Sequence, residues 1–187
     1  AIECGCDIAL ANKECLVAAG ELVMLAAKRA GVRIVPVDSE HSAIFQCIEN
    51  SPSKDIAKVV LTASGGSLRS MTKEEMGTAT VEEVLSHPTW SMGPKVTVDS
   101  ASLMNKALEL IEAHWLFDIG SKKLDAVIHP QSIVHGFVEF SDGSVVAQMS
   151  QPDMKLPIQY SLTWPNRVEG CGRSIDWKEL GSLEFKP

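Results

Sequence analysis

The sequence predicts an α+β fold: a mixed β-sheet with helices packed mainly on one face, built from strand-loop-helix units and followed by an antiparallel hairpin. Short β-rich runs end in polar clusters that give way to helical apolar spacing, while the second half alternates apolar and polar residues without intervening helices. An Asp142-Gly143 turn signal sits between two such runs.

Ile2 to Leu10 reads as strand from the middle of a domain. The apolar stretch Cys15 to Ala27 is interrupted by Gly20 and Glu21 and falls short of the roughly 20 residues that cross a bilayer. Arg33 to Val37 is a strand leading into Asp38-Ser39-Glu40-His41, after which Ser42 to Ile48 has helical spacing. Lys58 to Thr62 is a second strand, followed by Ala63-Ser64-Gly65-Gly66-Ser67. Lys95 to Val98 reads as a third, followed by Asp99-Ser100 and a helix from Ser102 to Phe117. Polar groups at the carboxyl ends of strands are where α/β units bind ligands. From Leu124 the runs DAVIH, IVHGFVEF and SVVAQMS suggest antiparallel pairing, and beyond Pro152 the chain becomes loop-rich. The expectation is one mixed-sheet domain over residues 1–187 with a trailing linker from about residue 160 and with both ends cut.

A net charge of -7 with no lysine or arginine run argues against nucleic-acid binding. Any anionic ligand then needs local positive charge from placed lysines, a metal or backbone amides. No basic segment precedes the first apolar residues, so no signal peptide is expected. Cys4, Cys6, Cys15, Cys47 and Cys171 form no CxxC pair and suit a reduced, intracellular protein without a membrane partner.

Asp38 and Glu40 lie two positions apart after a strand, where extended backbone would point both carboxylates to one side as hard ligands for Mg²⁺ or Mn²⁺. The alternative is a helix cap at Asp38 with Glu40 solvated in the first turn. Asn105 and Glu109 share a helix face with Lys106 one position round: a third metal ligand beside phosphate donors, or a solvated face. Ser64-Gly65-Gly66-Ser67 suits an anion-binding nest or a plain tight turn. His87 to Gly93 is either a lid or a loop anchored by Trp90 in the core. His41, His129 and His135 read as structural histidines.

In order, LANKE (Leu10 to Glu14), PVDSEH (Pro36 to His41), LTASGG (Leu61 to Gly66), HPTWSMG (His87 to Gly93), VDSASLMNKALE (Val98 to Glu109), HPQSIVH (His129 to His135) and QPDMKLPI (Gln151 to Ile158) closely resemble the 1-deoxy-D-xylulose 5-phosphate reductoisomerase family, across nearly the whole chain. The resemblance implies Asp38, Glu40 and Glu109 as ligands of Mg²⁺ or Mn²⁺, and a catalytic set of Lys13, Glu40, Lys106 and Glu109. It implies that Lys13 and Ser39 contact the oxygen-bearing carbons of the substrate, and that Ser64, Ser100, Asn105 and Lys106 bind its phosphate. His87, Trp90 and Met92 fall on the family's lid. Asn12, Glu14, Met92, Ser132 and Met154 match positions near the nicotinamide half of NADPH, and His41 and His135 match polar residues around the site. Ala63 and Ala107 stand where the family commonly has glycine.

The implied reaction rearranges a ketose phosphate and reduces it with NADPH to 2-C-methyl-D-erythritol 4-phosphate, in a homodimeric enzyme of the cytoplasm or a plastid-like stroma. The family joins an N-terminal NADPH-binding domain, this middle catalytic domain and a C-terminal helical domain. No GxGxxG fingerprint occurs here, which suggests a fragment. Two rival readings stay open: a catalytically silent metal and phosphate-binding module, and a nicotinamide-independent sugar-phosphate isomerase or aldolase.

Overall fold

A computed structural model describes residues 1–49, 51–170 and 172–187; Cys171 lies outside the described residues. Cys4, Cys6, Cys15 and Cys47 are free thiols. The N-terminal segment forms a single 3-10 turn and then a strand of only three residues, β1 (Ile8–Leu10), in place of the continuous strand expected there. It is followed by α1 (Glu14–Ala30), β2 (Ile34–Pro36), α2 (Ser39–Ile48) and β3 (Ile56–Ala63). Two short helices, α3 (Lys73–Met76) and α4 (Val81–Leu85), each begin with a threonine capping box, at Thr72 and Thr80. Then come α5 (Pro94–Ala101), α6 (Met104–Phe117), β4 (Leu124–Ile128), β5 (Val134–Phe140), β6 (Val145–Met149) and α7 (Lys155–Thr163).

β1 and β2 make a small parallel pair, separate from a four-stranded sheet in the order β4-β3-β5-β6. The larger sheet is mixed: β4 runs parallel to β3, with Leu61 opposite Ala126, whereas β5 is antiparallel to both β3 and β6. The second half is therefore only partly antiparallel, because β4 docks beside β3 through the α6 crossover. The hairpin turn at Asp142-Gly143 is as expected, with Gly143 at φ 87.

The largest departure from the sequence reading is at Lys95 to Val98, which is helical. Val96, Thr97 and Val98 are β-branched, but Gly93 and Pro94 open a helix at the first position where proline is favoured. Thr97 Oγ1 donates back to the Gly93 carbonyl at 3.0 Å, and Lys95 pairs with Asp99 one turn on at 2.7 Å. Of the three strand-loop-helix units expected, the one at Lys95 to Val98 is thus absent, while β1 and α1 form one that was not expected. Ser102 ends α5, and Leu103 adopts a left-handed conformation, φ 59, before α6 begins. A leucine there is strained by about 1 kcal/mol or more, and the strain sits at the cavity described below.

α2 and α6 cover one face of the larger sheet. Ile44 and Cys47 from α2 and Ala113 from α6 meet Val59, Leu61 and Val138 in the core. α2 approaches closely because a Cβ on Gly136 would lie 2.9 Å from Ile44 Cδ1. α1 is drawn onto α6 at Gly20, where a Cβ would lie 2.2 Å from the Trp115 ring. These contacts bring together the start of α1, the start of α2 and the middle of α6. No helix among the described residues is long and apolar enough to cross a membrane.

His135 on β5 is 3% exposed and donates from Nε2 to the Ser150 carbonyl at 3.3 Å. Burial lowers its pKa from the ordinary 6.5 to about 4. The unfolded chain therefore takes up this proton first as pH falls below 6.5, so the stability held above that pH is lost progressively down to about 4. Against His135→Asn, the wild-type chain is expected to lose about 3 kcal/mol more between those limits in urea melts at stepped pH. Parallel pH profiles would contradict this.

Candidate active site

Three elements supply the site. Asp38 caps α2, its Oδ1 accepting the backbone N–H of Glu40 at 3.2 Å. The cap expected as the plain alternative is therefore present, yet Glu40 is partly buried and its carboxylate turns toward α6. The convergence of Asp38 and Glu40 comes from cap-and-first-turn geometry, not from extended backbone. Glu109, 1% exposed on α6, completes the group: oxygens of Asp38, Glu40 and Glu109 all lie within 4.8 Å of one another.

Two lysines hold this negative charge together. Lys13, just before α1, places Nζ 2.6 Å from Asp38 Oδ2, 2.8 Å from Glu109 Oε1 and 2.9 Å from Asn105 Oδ1, which uses all three of its hydrogens. Lys106 Nζ lies 3.2 Å from Glu40 Oε1 and also pairs with Glu109. Asn105 donates to Glu109 as well. Burial alone would lower both lysine pKa values, but the attraction of Asp38 and Glu109 for Lys13, and of Glu109 and Glu40 for Lys106, raises them. Burial pushes the Glu40 carboxyl up to about 7 against the pull of Lys106. Asp38 resists the same burial because Lys13 and His41 hold it well below the carboxylate range.

These carboxylates open on a cavity of about 320 Å³, whose other walls include Ser39, Ser64, Ser100, Asn105, Trp90, Met92 and Met154. That volume lies at the lower end of small-ligand sites. Ser64 is placed by the two glycines after it, at φ 86 and 74. A Cβ on Gly66 would lie 2.4 Å from the Ser100 carbonyl, so glycine lets the Ser64 loop close on the end of α5. Ser64 and Ser100, 36 positions apart in the chain, thus share one rim.

His87 ties the loop over the cavity to that rim. Its Nδ1 accepts the backbone N–H groups of Thr89 and Trp90 at 3.1 and 2.9 Å, so Nε2 carries the hydrogen and donates to Ser64 Oγ at 2.8 Å. Burial and the nearby Arg69 lower its pKa. Trp90 is half-buried, lines the cavity and meets the His135 ring edge-on at 6.1 Å. It shares features of both expected roles.

Not every expected residue gathers here. Asn12 and Glu14 lie at the surface start of α1, bonded to each other at 2.8 Å, with Glu14 also paired to Lys95. Ser132 is buried in the turn between β4 and β5, at φ 53, and is not among the cavity-lining residues. His129 is a structural residue, as expected: Nδ1 donates to the Glu184 carbonyl at 2.7 Å and Nε2 accepts the Ile133 N–H at 3.1 Å. His41 is more than that, and Glu112, which the family resemblance does not single out, joins it. The His41 ring nitrogen Nδ1 lies 3.3 Å from Asp38 and 3.4 Å from Glu112, which is 1% exposed. Burial pushes Glu112 up to about 7, while Asp38 and Glu112 raise His41 to about 9 against its burial. The sequence signal was an acid one turn from Glu109 and next to the core residue Ala113.

A family model described as the 1-deoxy-D-xylulose 5-phosphate reductoisomerase C-terminal domain matches residues 34–117, and a second, described as the DXP reductoisomerase C-terminal domain, matches residues 149–187. The chain belongs to the 1-deoxy-D-xylulose 5-phosphate reductoisomerase family. The reductoisomerase of Protochlamydia amoebophila (strain UWE25) is 53% identical over 185 residues, 99% of this chain and 48% of that protein. That of Geobacillus kaustophilus (strain HTA426) is 54% identical over 188 residues, 100% of this chain and 49% of its own length. Among solved reductoisomerases, a complex with NADPH, fosmidomycin and magnesium superposes with a TM-score of 0.94 at 46% identity, covering 100% of this chain and 48% of its own. The Zymomonas mobilis reductoisomerase in complex with NADPH gives 0.91 at 44%, covering 99% and 48%. The chain spans about half the length of the reductoisomerases it matches. Both family descriptions speak of a C-terminal domain.

Three carboxylates on two elements, with one of them buried, suit a hard divalent cation such as Mg²⁺ or Mn²⁺, which prefers oxygen ligands and keeps positions open for water and substrate. The donor set therefore fits the metal that the family implies.

Proposed function

We propose that this chain is the catalytic part of a reductoisomerase that converts 1-deoxy-D-xylulose 5-phosphate to 2-C-methyl-D-erythritol 4-phosphate with NADPH and Mg²⁺ or Mn²⁺, in isoprenoid precursor synthesis. The convergence of Asp38, Glu40 and Glu109 at one wall of a cavity rimmed by Ser64, Ser100 and Asn105 carries this reading. A bound divalent ion supplies Lewis-acid polarisation of the substrate's carbonyl and neighbouring hydroxyl.

Ser39 and Lys13 border the carboxylates and orient the oxygen-bearing carbons. Ser64, Ser100, Asn105 and Lys106 anchor the phosphate, whose remote binding energy fixes the reacting carbons. His87, Trp90 and Met92 cover the substrate and exclude water. The nicotinamide end of NADPH approaches from the side of Met92 and Met154, which line the cavity. The complete enzyme works as a cytoplasmic homodimer joined along a sheet edge of the second half, where β4 and β6 are the outer strands.

Calorimetric titration of 1-deoxy-D-xylulose 5-phosphate into the Mn²⁺-loaded chain tests this reading. Lys106→Ala is expected to weaken binding by about 2 kcal/mol, roughly 30-fold, as for a lost hydrogen bond to a charged group. Equal affinity in the two proteins would contradict the phosphate assignment. A second reading is a metal and phosphate-binding module without turnover, for which the carboxylate cluster and the serine rim would suffice. NADPH oxidation by the isolated chain separates the two.

A further inference from the structure

α6 carries an acid that the proposed chemistry leaves unused. Glu112 is 1% exposed, and neither of its carboxylate oxygens makes a hydrogen bond among the described residues. Burying a carboxylate in that state is costly by several kcal/mol unless a charge partner compensates. Its partner is His41 Nδ1, 3.4 Å from Oε2, and the same nitrogen lies 3.3 Å from Asp38 Oδ1. The other ring nitrogen, Nε2, donates to the backbone carbonyl of Glu109 at 2.9 Å. The ring is fully buried and stacks on Phe117, with centroids 6.3 Å apart and planes at 19°.

His41 therefore spans the two elements that carry the candidate metal ligands. On one side its Nδ1 faces the Asp38 carboxylate at the start of α2, a charge contact without a hydrogen bond, and on the other its Nε2 bonds the α6 backbone at Glu109 itself. We propose that Glu112 and His41 are a positioning pair for the metal site: Glu112 fixes the imidazole, and the imidazole sets the separation and orientation of Asp38 and Glu109. The proposal rests on the metal-site reading above. Outer partners of this kind orient ligating groups, and their loss typically lowers metal affinity by about 10- to 100-fold. Asp38, His41 and Glu112 also bring ligand atoms within 4.8 Å of one another, so a second ion at that position is the competing use of these residues.

Mn²⁺ titration of the chain by calorimetry, with electron paramagnetic resonance of the bound ion, decides between them. One ion per wild-type chain is expected. Glu112→Gln keeps the side-chain shape and removes the charge; it is expected to weaken Mn²⁺ binding by about 10- to 100-fold and to change the zero-field splitting, with the far-UV circular dichroism retained. Glu112→Asp keeps the charge but withdraws it from His41, and is expected to give an intermediate loss with the same spectral change. It carries the test if the glutamine variant fails to fold. Wild-type affinity and spectrum in a folded variant would overturn the positioning role, as would two ions per wild-type chain. A wild-type chain that binds no Mn²⁺ overturns the metal-site reading itself; loss in Glu109→Gln with none in Glu112→Gln overturns only the positioning pair.

Discussion

Replacing Glu109 with glutamine is expected to lower Mn²⁺ affinity by more than about 100-fold, beyond what the loss of an outer partner brings. Glu109 is the most buried of the three carboxylates and accepts contacts from Lys13, Lys106 and Asn105. The amide preserves the shape but offers one neutral oxygen to a hard cation and places an NH₂ group among three donors. The metal-free chain should also lose about 1–3 kcal/mol, because the amide oxygen can serve only one of the two buried ammonium groups, which bond different carboxylate oxygens, and the other is left facing the NH₂. Calorimetry with Mn²⁺ measures the first effect and urea unfolding the second. Unchanged metal affinity would remove Glu109 from the ligand set.

Lys13→Met is expected to separate the two kinds of cation that the carboxylates accept. Without metal, the Lys13 ammonium bridges Asp38 and Glu109 from a position that is 7% exposed. Its removal leaves two carboxylates short of a counter-charge, a loss of about 3–5 kcal/mol for a broken buried pair. Mn²⁺ should restore much of that stability, since an ion bound only by the folded state stabilises it in proportion to the logarithm of its concentration over Kd. Thermal melting with and without Mn²⁺ is the measurement, and the metal-induced rise should be larger in Lys13→Met than in wild type. An equal rise in both would mean that ammonium and metal do not share the same carboxylates.

The α+β architecture was legible where local pattern and tertiary context agree. The β2 to α2 passage announced itself through the apolar run at Ile34 and Val35 and the capping aspartate at Asp38, and β5 and β6 through alternation about Asp142-Gly143. It failed at α5, where β-branched side chains point to strand while Pro94, the Lys95-Asp99 pair and burial of Thr97 favour helix. The parallel placement of β4 was hidden because it is decided by the crossover through α6, not by residues within the strand.

The site was half legible for a similar reason. Asp38 and Glu40 are close in the chain and draw attention together, but spacing alone left them between a helix cap and a metal site, and the structure shows that the cap and the convergence coexist. Glu109 stands 69 positions beyond Glu40, so only the packing of α6 against α2 brings it to them. The family resemblance points Lys13 and Lys106 to substrate and phosphate, whereas in the structure their partners are the carboxylates. Glu112 stands one turn from Glu109, but that signal is weak, because nothing in one sequence distinguishes a buried acid at the edge of an apolar helix face from a solvated one.

Diffraction at the manganese absorption edge from crystals of the chain grown with Mn²⁺ tests the central claim most directly. A single anomalous peak is predicted among the carboxylate oxygens of Asp38, Glu40 and Glu109, with the Lys13 and Lys106 ammonium groups displaced from it. No peak at that position, or one held by Asp38, His41 and Glu112 in its place, would contradict the account.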